Sequence, residues 1–343
     1  MSDAQSLGTL DDYERVAEAK FDPAAWAYLA GGGADEITRR RNREAFNRIL
    51  LAPRVLNDVS SIDTSVTLLG ERLAHPILLA PVAAHSLAHK GGEVEMARGA
   101  REAGAGVVLS SYTSCRIEEV AQVGATPLWF QLYMQERIAT EKLVRLAVEK
   151  GCSALCVTVD TPTTGPRDRQ TRAGFEFPPN LPYRTVEPGD NPVTWNDIEW
   201  IRNAVDVPVI LKGILHPDDA ELAVRSGAAA IVVSNHGGRN LDTVPSTIEA
   251  LPGVVDRVAG RIPVLVDGGI RRGTDVLKCL AFGASAVMIG RPYVYGLAVA
   301  GAKGVSDVVA ILRRELEQSM ALCGARDIAG VTRDLIFRQA QGQ

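Results

Sequence analysis

An imidazole, two glycines and a guanidinium follow one another at His236-Gly237-Gly238-Arg239, inside the stretch from Ser234 to Asp242. The imidazole can take a proton near pH 7. The guanidinium, three residues on, can hold a carboxylate through two parallel hydrogen bonds. The glycines let the backbone turn tightly and come close to a ligand. A base beside a carboxylate clamp suits oxidation or proton abstraction next to a carboxylate. The apolar run Ala230-Ile231-Val232-Val233 precedes the motif and reads as a buried strand. Base and cation therefore leave one strand end together.

That strand is one of eight. The others are Ile77–Ala80, Val107–Leu109, Leu128–Leu132, Ala154–Val159, Val209–Leu211, Val264–Val266 and Ala286–Ile289. Continuous apolar runs of this length suit parallel strands buried on both faces. Helix-like stretches lie between them, such as Gly92–Gly104, Glu136–Lys150, Pro217–Gly227 and Thr274–Gly283, several ending in glycine. Eight such units predict an α/β fold, a (β/α)8 TIM barrel, with an open doubly wound sheet as the alternative. Residues Leu10 to Asn47 read as an N-terminal helical extension, capped by Thr9 and broken at Gly31-Gly32-Gly33. Residues 1–343 read as one domain. After the fourth strand, Pro162 to Val193 forms a long proline-rich loop with little periodicity. A barrel would place it on the catalytic face, as a lid or as a plain surface excursion.

Polar residues stand at every strand end: Pro81, Ser110, Gln131 with Tyr133, Thr158 with Asp160, Lys212, Ser234 with His236, Asp267-Gly268-Gly269 and Gly290-Arg291. Barrel active sites occupy that rim. Loops after strands seven and eight commonly bind phosphate, so Asp267 to Gly273 and Ile289 to Pro292 predict a phosphate site with Arg271 and Arg291. Lys212 closes an apolar strand, where a lone ammonium is costly. It is either ion-paired with an acid or a cation beside a ring that becomes anionic. Gln131 and Thr158 either bond such a ring or are satisfied polar groups of the core. Tyr28, in a helix, reads more readily as core than as ligand. His85 and His89 have the spacing of helical metal ligands but no evident Glu or Cys companion, and read as polar packing, with no metal site.

Composition narrows the function classes. Net charge is −4, which gives no global basic field for nucleic acid. The five cysteines are scattered and form no CxxC pair, which suits reduced thiols in a cytoplasm. No signal peptide is read at Met1–Gln5, no address at Gln341–Gln343, and no apolar run of membrane-spanning length. Local phosphate binding remains open.

The motifs together resemble the FMN-dependent (S)-2-hydroxy acid oxidase and dehydrogenase family, which includes glycolate oxidase and lactate oxidase. The similarity runs from Tyr13 to about Ile328. It includes Arg48–Arg54, Leu79–Ala83, Phe130–Tyr133, Thr158–Pro162, Ser234–Asp242 and Asp267–Asp275. Ala83–His89 and Gly165–Arg169 are most similar to bacterial lactate oxidases, the first also to 4-hydroxymandelate oxidases. The resemblance implies FMN as cofactor. It implies His236 as base, Asp160 as partner of the imidazolium, and Tyr133 as hydrogen-bond partner of the substrate hydroxyl. Tyr28, Arg167 and Arg239 would hold the carboxylate, and Lys212 would face the reduced ring. Pro81, Val82, Ala83, Ser110, Gln131, Thr158 and Ser234 would line the isoalloxazine and ribityl chain. Asp267 would take ribityl hydroxyls, with Gly268, Gly269, Ile270, Arg271, Gly290 and Arg291 around the phosphate. The implied product is a 2-keto acid, with dioxygen reoxidising the flavin to give hydrogen peroxide. The resemblance also implies a homotetramer; the cysteines, the net charge and the lack of a spanning run add the expectation of a cytoplasmic protein without membrane or nucleic-acid partners.

Three departures bear on the substrate. The loop after strand four is shorter than is usual in the family and lacks a membrane-anchoring excursion, which predicts a more open pocket. Tyr112 stands where plant glycolate oxidases carry tryptophan, and Thr164 where they carry leucine. These changes predict a more polar wall and a preference other than glycolate. Three rival functions stand beside the oxidase: a dehydrogenase passing electrons to a quinone or protein, an aromatic (4-hydroxy)mandelate oxidase, and a barrel that binds phosphate without redox chemistry.

Overall fold

A computed structural model describes residues 7–184 and 192–337 of the 343. Pro188 of the proline-rich loop and both termini discussed above lie outside the described residues.

Eight parallel strands close into a barrel in sequence order. They are Ile77–Leu79, Gly106–Ser110, Leu128–Leu132, Ala154–Thr158, Val209–Ile214, Ala230–Val233, Val264–Asp267 and Ala286–Ile289. The last pairs with the first, Val287 opposite Ile77, which rules out the open doubly wound sheet. Side chains alternate across each strand. Leu78, Val108, Cys156, Ile210, Val232, Leu265 and Met288 fill the interior. Their neighbours Leu79, Val107, Leu109, Val157 and Leu211 pack outward with the helices. Both faces are buried, which is why the strands read as unbroken apolar runs.

Strand five runs to Ile214, so Lys212 does not end it as expected. The register against strand six shifts between Lys212 and Ile214, around Gly213 at φ +119°. A Cβ on Gly213 would lie 2.5 Å from the Cβ of Asp160. The irregularity makes room for a carboxylate two residues beyond strand four.

An antiparallel ribbon, Val66–Leu68 with Glu71–Leu73, covers the N-terminal end of the barrel. Leu68 and Leu73 join the interior cluster, and Ser153, just before strand four, donates to Glu71 at 2.7 Å. The site must therefore open at the other end. Three helices precede the ribbon: Leu10–Glu18, Pro23–Ala30 and Ile37–Asn47. Thr9 caps the first through a capping box with Asp12, as read from the sequence. The third begins at Ile37. Its first two amides donate to the carboxylate of Asp242, at 3.1 Å from Ile37 and 2.7 Å from Thr38. The acid that closes the His236 motif thus caps a helix 204 residues away.

The last long helix, Arg291–Cys323, has the length and apolarity of a membrane span. It breaks at Ala300 and Gly301 and packs against Gly92–Ala103 so closely that a Cβ on Gly99 would meet the Ala302 carbonyl at 2.2 Å. Lys303 and Asp307, beyond the break, interrupt its apolar run in the sequence.

Candidate active site

One cavity of about 540 Å³ lies at the C-terminal mouth of the barrel. Its wall takes in Pro81, Val82, Ala83, Ser110, Gln131, Tyr133, Thr158, Lys212, His236, Asp267 to Arg271, Gly290 and Arg291. The proline-rich loop adds Arg167, and the N-terminal extension adds Tyr28. Two expected residues sit behind the wall instead. Asp160 backs His236, where its role places it. Ser234 is fully buried, and its Oγ accepts from Lys212 Nζ at 3.0 Å and from the His236 amide at 3.1 Å. It supports Lys212 and His236 from behind the cavity wall.

His236, Gly237 and Gly238 take left-handed φ of +57°, +66° and +71°. Such a turn carries strain of about 1 kcal/mol or more at a non-glycine residue. The Asn235 carboxamide holds it, accepting from the Gly238 amide at 3.1 Å. Asn235 in turn exchanges two 2.8 Å hydrogen bonds with Asn42 of the third helix. Neither asparagine stood out in the sequence. The turn presents the imidazole to the cavity with Nδ1 on Asp160 Oδ1 at 3.0 Å and Nε2 facing Tyr133 Oη at 3.3 Å. Asp160 at Nδ1 selects the tautomer whose Nε2 is the acceptor.

Charges in this cluster are set by burial and by each other. Burial pulls the His236 imidazole below its ordinary range, the Asp160 charge pulls it back, and Lys212 adds to the depression. The base is therefore neutral at pH 7 and free to accept a proton. Burial would raise the Asp160 carboxyl, but His236 and Lys212 outweigh it and keep the carboxyl below its usual range. Burial, followed by the charge of Asp160, drives the Tyr133 phenol upward, so it stays a donor. Burial disfavours the Lys212 ammonium, yet Asp267 at 3.3 Å and Asp160 more than compensate. Lys212 is thus ion-paired with Asp267, the first of the two alternatives read from the sequence, and it also lines the cavity.

Arg239 donates to the carbonyls of Tyr28 and Gly31, and its guanidinium lies 4.7 Å from the Tyr28 ring centre. Arg167 donates to the Arg239 carbonyl and the Asn240 side chain, both at 3.3 Å. Tyr28 is buried, and it faces the cavity. The two cations and this phenol converge beside His236, a clamp for a carboxylate. Gln131 bonds Thr158 at 2.9 Å and accepts from Ser110 at 3.1 Å, so these groups satisfy one another while lining the wall.

At the far end two buried polar atoms have no hydrogen-bond partner among the described residues: Asp267 Oδ1 and Arg271 Nε. An orphaned acceptor calls for a hydroxyl, and an orphaned cationic donor calls for an anion. Ribityl hydroxyls and a phosphate meet both needs. The glycine turn at Gly268 and Gly269, φ +96° and +81°, lies beside them, and a Cβ on Gly269 would meet the Asn42 carbonyl at 1.9 Å. The residues present fit an FMN phosphate end.

His85 corrects the sequence reading in one respect. It sits in a short 3-10 turn, His85–Leu87, with Glu93 Oε1 3.0 Å from its Nδ1. Its Nε2 meets Tyr293 Oη at 3.0 Å. The acidic companion lies eight residues on, outside the i, i+4 spacing of the two histidines. The described residues hold no cluster of three metal-ligating side chains.

The loop after strand four is also different from expectation. It contains a helix, Asp168–Arg172, and then turns Phe175 and Phe177 into the cavity. The pocket is walled by rings on this side, and Tyr112 joins them, so the wall there is aromatic. Thr164 is also on the wall. The signal in the sequence was two phenylalanines spaced by one residue within an otherwise polar, proline-rich stretch.

Comparison with known proteins agrees with this geometry. The family model described as FMN-dependent dehydrogenase matches residues 17–338. L-lactate oxidase of Nostoc sp. is 45% identical over 349 residues, covering 94% of this chain and 96% of that one. Glycolate oxidase 1 of Oryza sativa subsp. indica is 43% identical over 351 residues, covering 96% and 95%. The crystal structure of mandelate oxidase with benzoyl-formic acid superposes with a TM-score of 0.92 at 40% identity, covering 97% and 98%.

Proposed function

The chain belongs to the FMN-dependent dehydrogenase family, and from that premise we propose that it oxidises 2-hydroxy acids to 2-keto acids with dioxygen as the final acceptor. The observation that carries the reading is one constellation. A neutral imidazole, backed by a carboxylate at 3.0 Å, shares its cavity with two arginines beside a phenol.

When bound, FMN supplies the two-electron acceptor. The chain's own residues do the rest. Arg167, Arg239 and Tyr28 dock the substrate carboxylate and fix the orientation of C2. Tyr133 Oη hydrogen-bonds the hydroxyl. His236 Nε2 takes the proton that leaves the substrate. Asp160 stabilises the imidazolium that results, because its charge is buried against Nδ1. Lys212, kept protonated by Asp267, would supply positive charge to the reduced ring. Arg271, with the amides around Gly269 and Gly290, would hold the phosphate. Pure phosphate binding would need no oriented base, which sets the non-redox alternative aside. A homotetramer, resting on the resemblance alone, and a cytoplasmic location, resting on the scattered cysteines, complete the proposal.

Two measurements test it. The purified protein should be yellow, and a 2-hydroxy acid should bleach it under anaerobic conditions. Readmitted air should restore the colour within a turnover and release hydrogen peroxide. Slow recovery in air with fast recovery on a quinone would assign a dehydrogenase instead. His236→Ala should keep FMN yet lose bleaching by about two to four orders of magnitude.

A further inference from the structure

We propose that Glu36, together with Arg169, is a positioning residue for the carboxylate clamp: it pins together the segments that carry Tyr28, Arg167 and Arg239. The inference rests on the proposed 2-hydroxy acid chemistry and adds a pair that lies outside the cavity wall.

Each arm of the clamp stands on a different segment. Tyr28 lies near the end of the second helix, just before Gly31-Gly32-Gly33. Arg167 precedes the short helix Asp168–Arg172, and Arg239 follows the His236 turn. These segments cross with no room to spare. The Gly33 amide donates to the Gly238 carbonyl at 2.8 Å, and the Ala34 amide to the Pro166 carbonyl at 2.9 Å. A Cβ on Gly33 or on Gly165 would lie 2.5 or 2.7 Å from the Asn240 carbonyl. Phe175, beyond the short helix, stacks on the Tyr28 ring with centres 4.4 Å apart.

Glu36 sits at this crossing in a left-handed conformation, φ +59° and ψ +25°, which is strained for any residue but glycine. It also holds the N-cap position of the third helix, where an acid ordinarily accepts from the first amides. Its side chain makes no such bond, and Asp242 takes those amides instead. The buried Glu36 carboxylate turns back to the crossing. Oε1 accepts from the Gly32 amide at 3.0 Å. Oε2 accepts from Arg169 at 3.0 Å and from Arg39 at 3.4 Å.

The pairing reaches both arginines of the clamp. The Arg169 stem lies over Gly31, where an added Cβ would sit 3.6 Å from its Cδ. The Gly31 carbonyl accepts from Arg239, and Arg167 is two residues from Arg169. One carboxylate therefore sets the distance between two guanidinium groups. Planar, bidentate recognition of a carboxylate is sensitive to that distance. Neither Glu36 nor Arg169 bonds His236, Asp160 or Lys212, so loosening the pair should weaken docking and leave proton transfer alone.

The experiment compares the wild-type holoenzyme with Arg169→Ala, Arg169→Lys, Glu36→Gln and the Glu36→Gln/Arg169→Ala double variant. Oxalate, a carboxylate with no hydrogen to lose, is titrated by the change it makes in the bound flavin spectrum. Anaerobic reduction is followed with whichever of lactate and mandelate bleaches the wild type faster. Arg169→Ala and Glu36→Gln should each weaken oxalate binding and raise KM about fivefold, with FMN retained and the limiting reduction rate held. Arg169→Lys should recover most of the loss, and the double variant should be no worse than either single one. Arg169 is partly exposed, so its two variants decide the matter if Glu36→Gln fails to fold. Unchanged oxalate affinity in Arg169→Ala, a fall in limiting rate with affinity kept, or losses that multiply in the double variant overturns the positioning role while leaving 2-hydroxy acid oxidation intact. A wild-type holoenzyme that neither binds oxalate nor is bleached by either acid overturns both.

Discussion

Asp160→Asn should slow reduction of the bound flavin by about three orders of magnitude while FMN stays in place. The carboxylate Oδ1 lies 3.0 Å from His236 Nδ1, and both side chains are mostly withdrawn from solvent. When His236 takes the substrate proton, its new charge sits roughly 4 Å from that carboxylate. At an effective dielectric constant of about 20 the attraction is about 4 kcal/mol. Each 1.36 kcal/mol is a factor of about ten, which gives the thousand-fold. Asparagine adds a second defect. Its amide donates to Nδ1, which moves the imidazole proton to Nε2, the atom that must accept. The assay is single-turnover reduction by a saturating 2-hydroxy acid, followed at the oxidised flavin band. A loss smaller than tenfold would refute the pairing argument. The pH profile gives a second check: Asp160 raises the imidazole, so its removal lets the residual acid limb fall to lower pH.

Three further outcomes follow from the same geometry. The His236 imidazole lies below its ordinary 6.5, so the neutral base is fully present above that value. It is lost only as pH falls through the lowered one, so kcat/KM should decline on the acid side of 6.5, and a decline centred above 7 would contradict the assignment. Lys212→Met leaves Asp267 buried without its cation, which should destabilise the holoenzyme by about 3–5 kcal/mol. The midpoint potential of bound FMN should also become more negative, as a redox titration would show. Gly213→Ala puts a Cβ 2.5 Å from that of Asp160 at φ +119°, so it should cost about 1–3 kcal/mol in thermal unfolding and slow flavin reduction.

Much of this architecture was readable from one dimension. Parallel strands covered on both faces must be apolar throughout, so Ile231 or Leu265 announces a strand with no help from neighbours. Glycines at Gly268 and Gly269 announce a tight turn for a similar reason: the backbone conformation excludes side chains. What escaped reading depends on approach from distant segments. Tyr28 looks like any helical aromatic until Arg239 is placed over its ring. Ser234 looks like a turn residue until Lys212 and the His236 amide are placed on its oxygen. Gly213 sits in an ordinary apolar run, and only the carboxylate of Asp160 pressing on it explains its identity. Phe175 and Phe177 belong to a loop without period, so their direction is set by stacking on Tyr28 and Tyr112 and by nothing local.

The charge pattern of the cavity explains why the N-terminal extension exists at all. Arg167, Arg184, Lys212, Arg239, Arg271 and Arg291 line it, against the carboxylates of Glu176 and Asp267. Burial, with Arg167 next, pushes the Arg239 guanidinium down to about 10, and burial pushes Arg291 to about 9. Cations held so dry need replacement for lost water. Backbone carbonyls supply part of it. Arg291 donates to Leu29 and Gly31 at 2.9 and 2.7 Å, and Arg239 donates to the same Gly31 carbonyl at 3.0 Å. One oxygen at the end of the second helix therefore tethers the cation of the phosphate end to the cation of the substrate end. Carbonyls lower the cost of burial without neutralising the charge, so both ends keep their pull on anions. A barrel stripped of residues 7–47 would lose Asn42, which braces the His236 turn through Asn235. It would also lose the carbonyls that aim Arg239 and Arg291, and Tyr28, leaving Arg167 as the remaining arm of the carboxylate clamp.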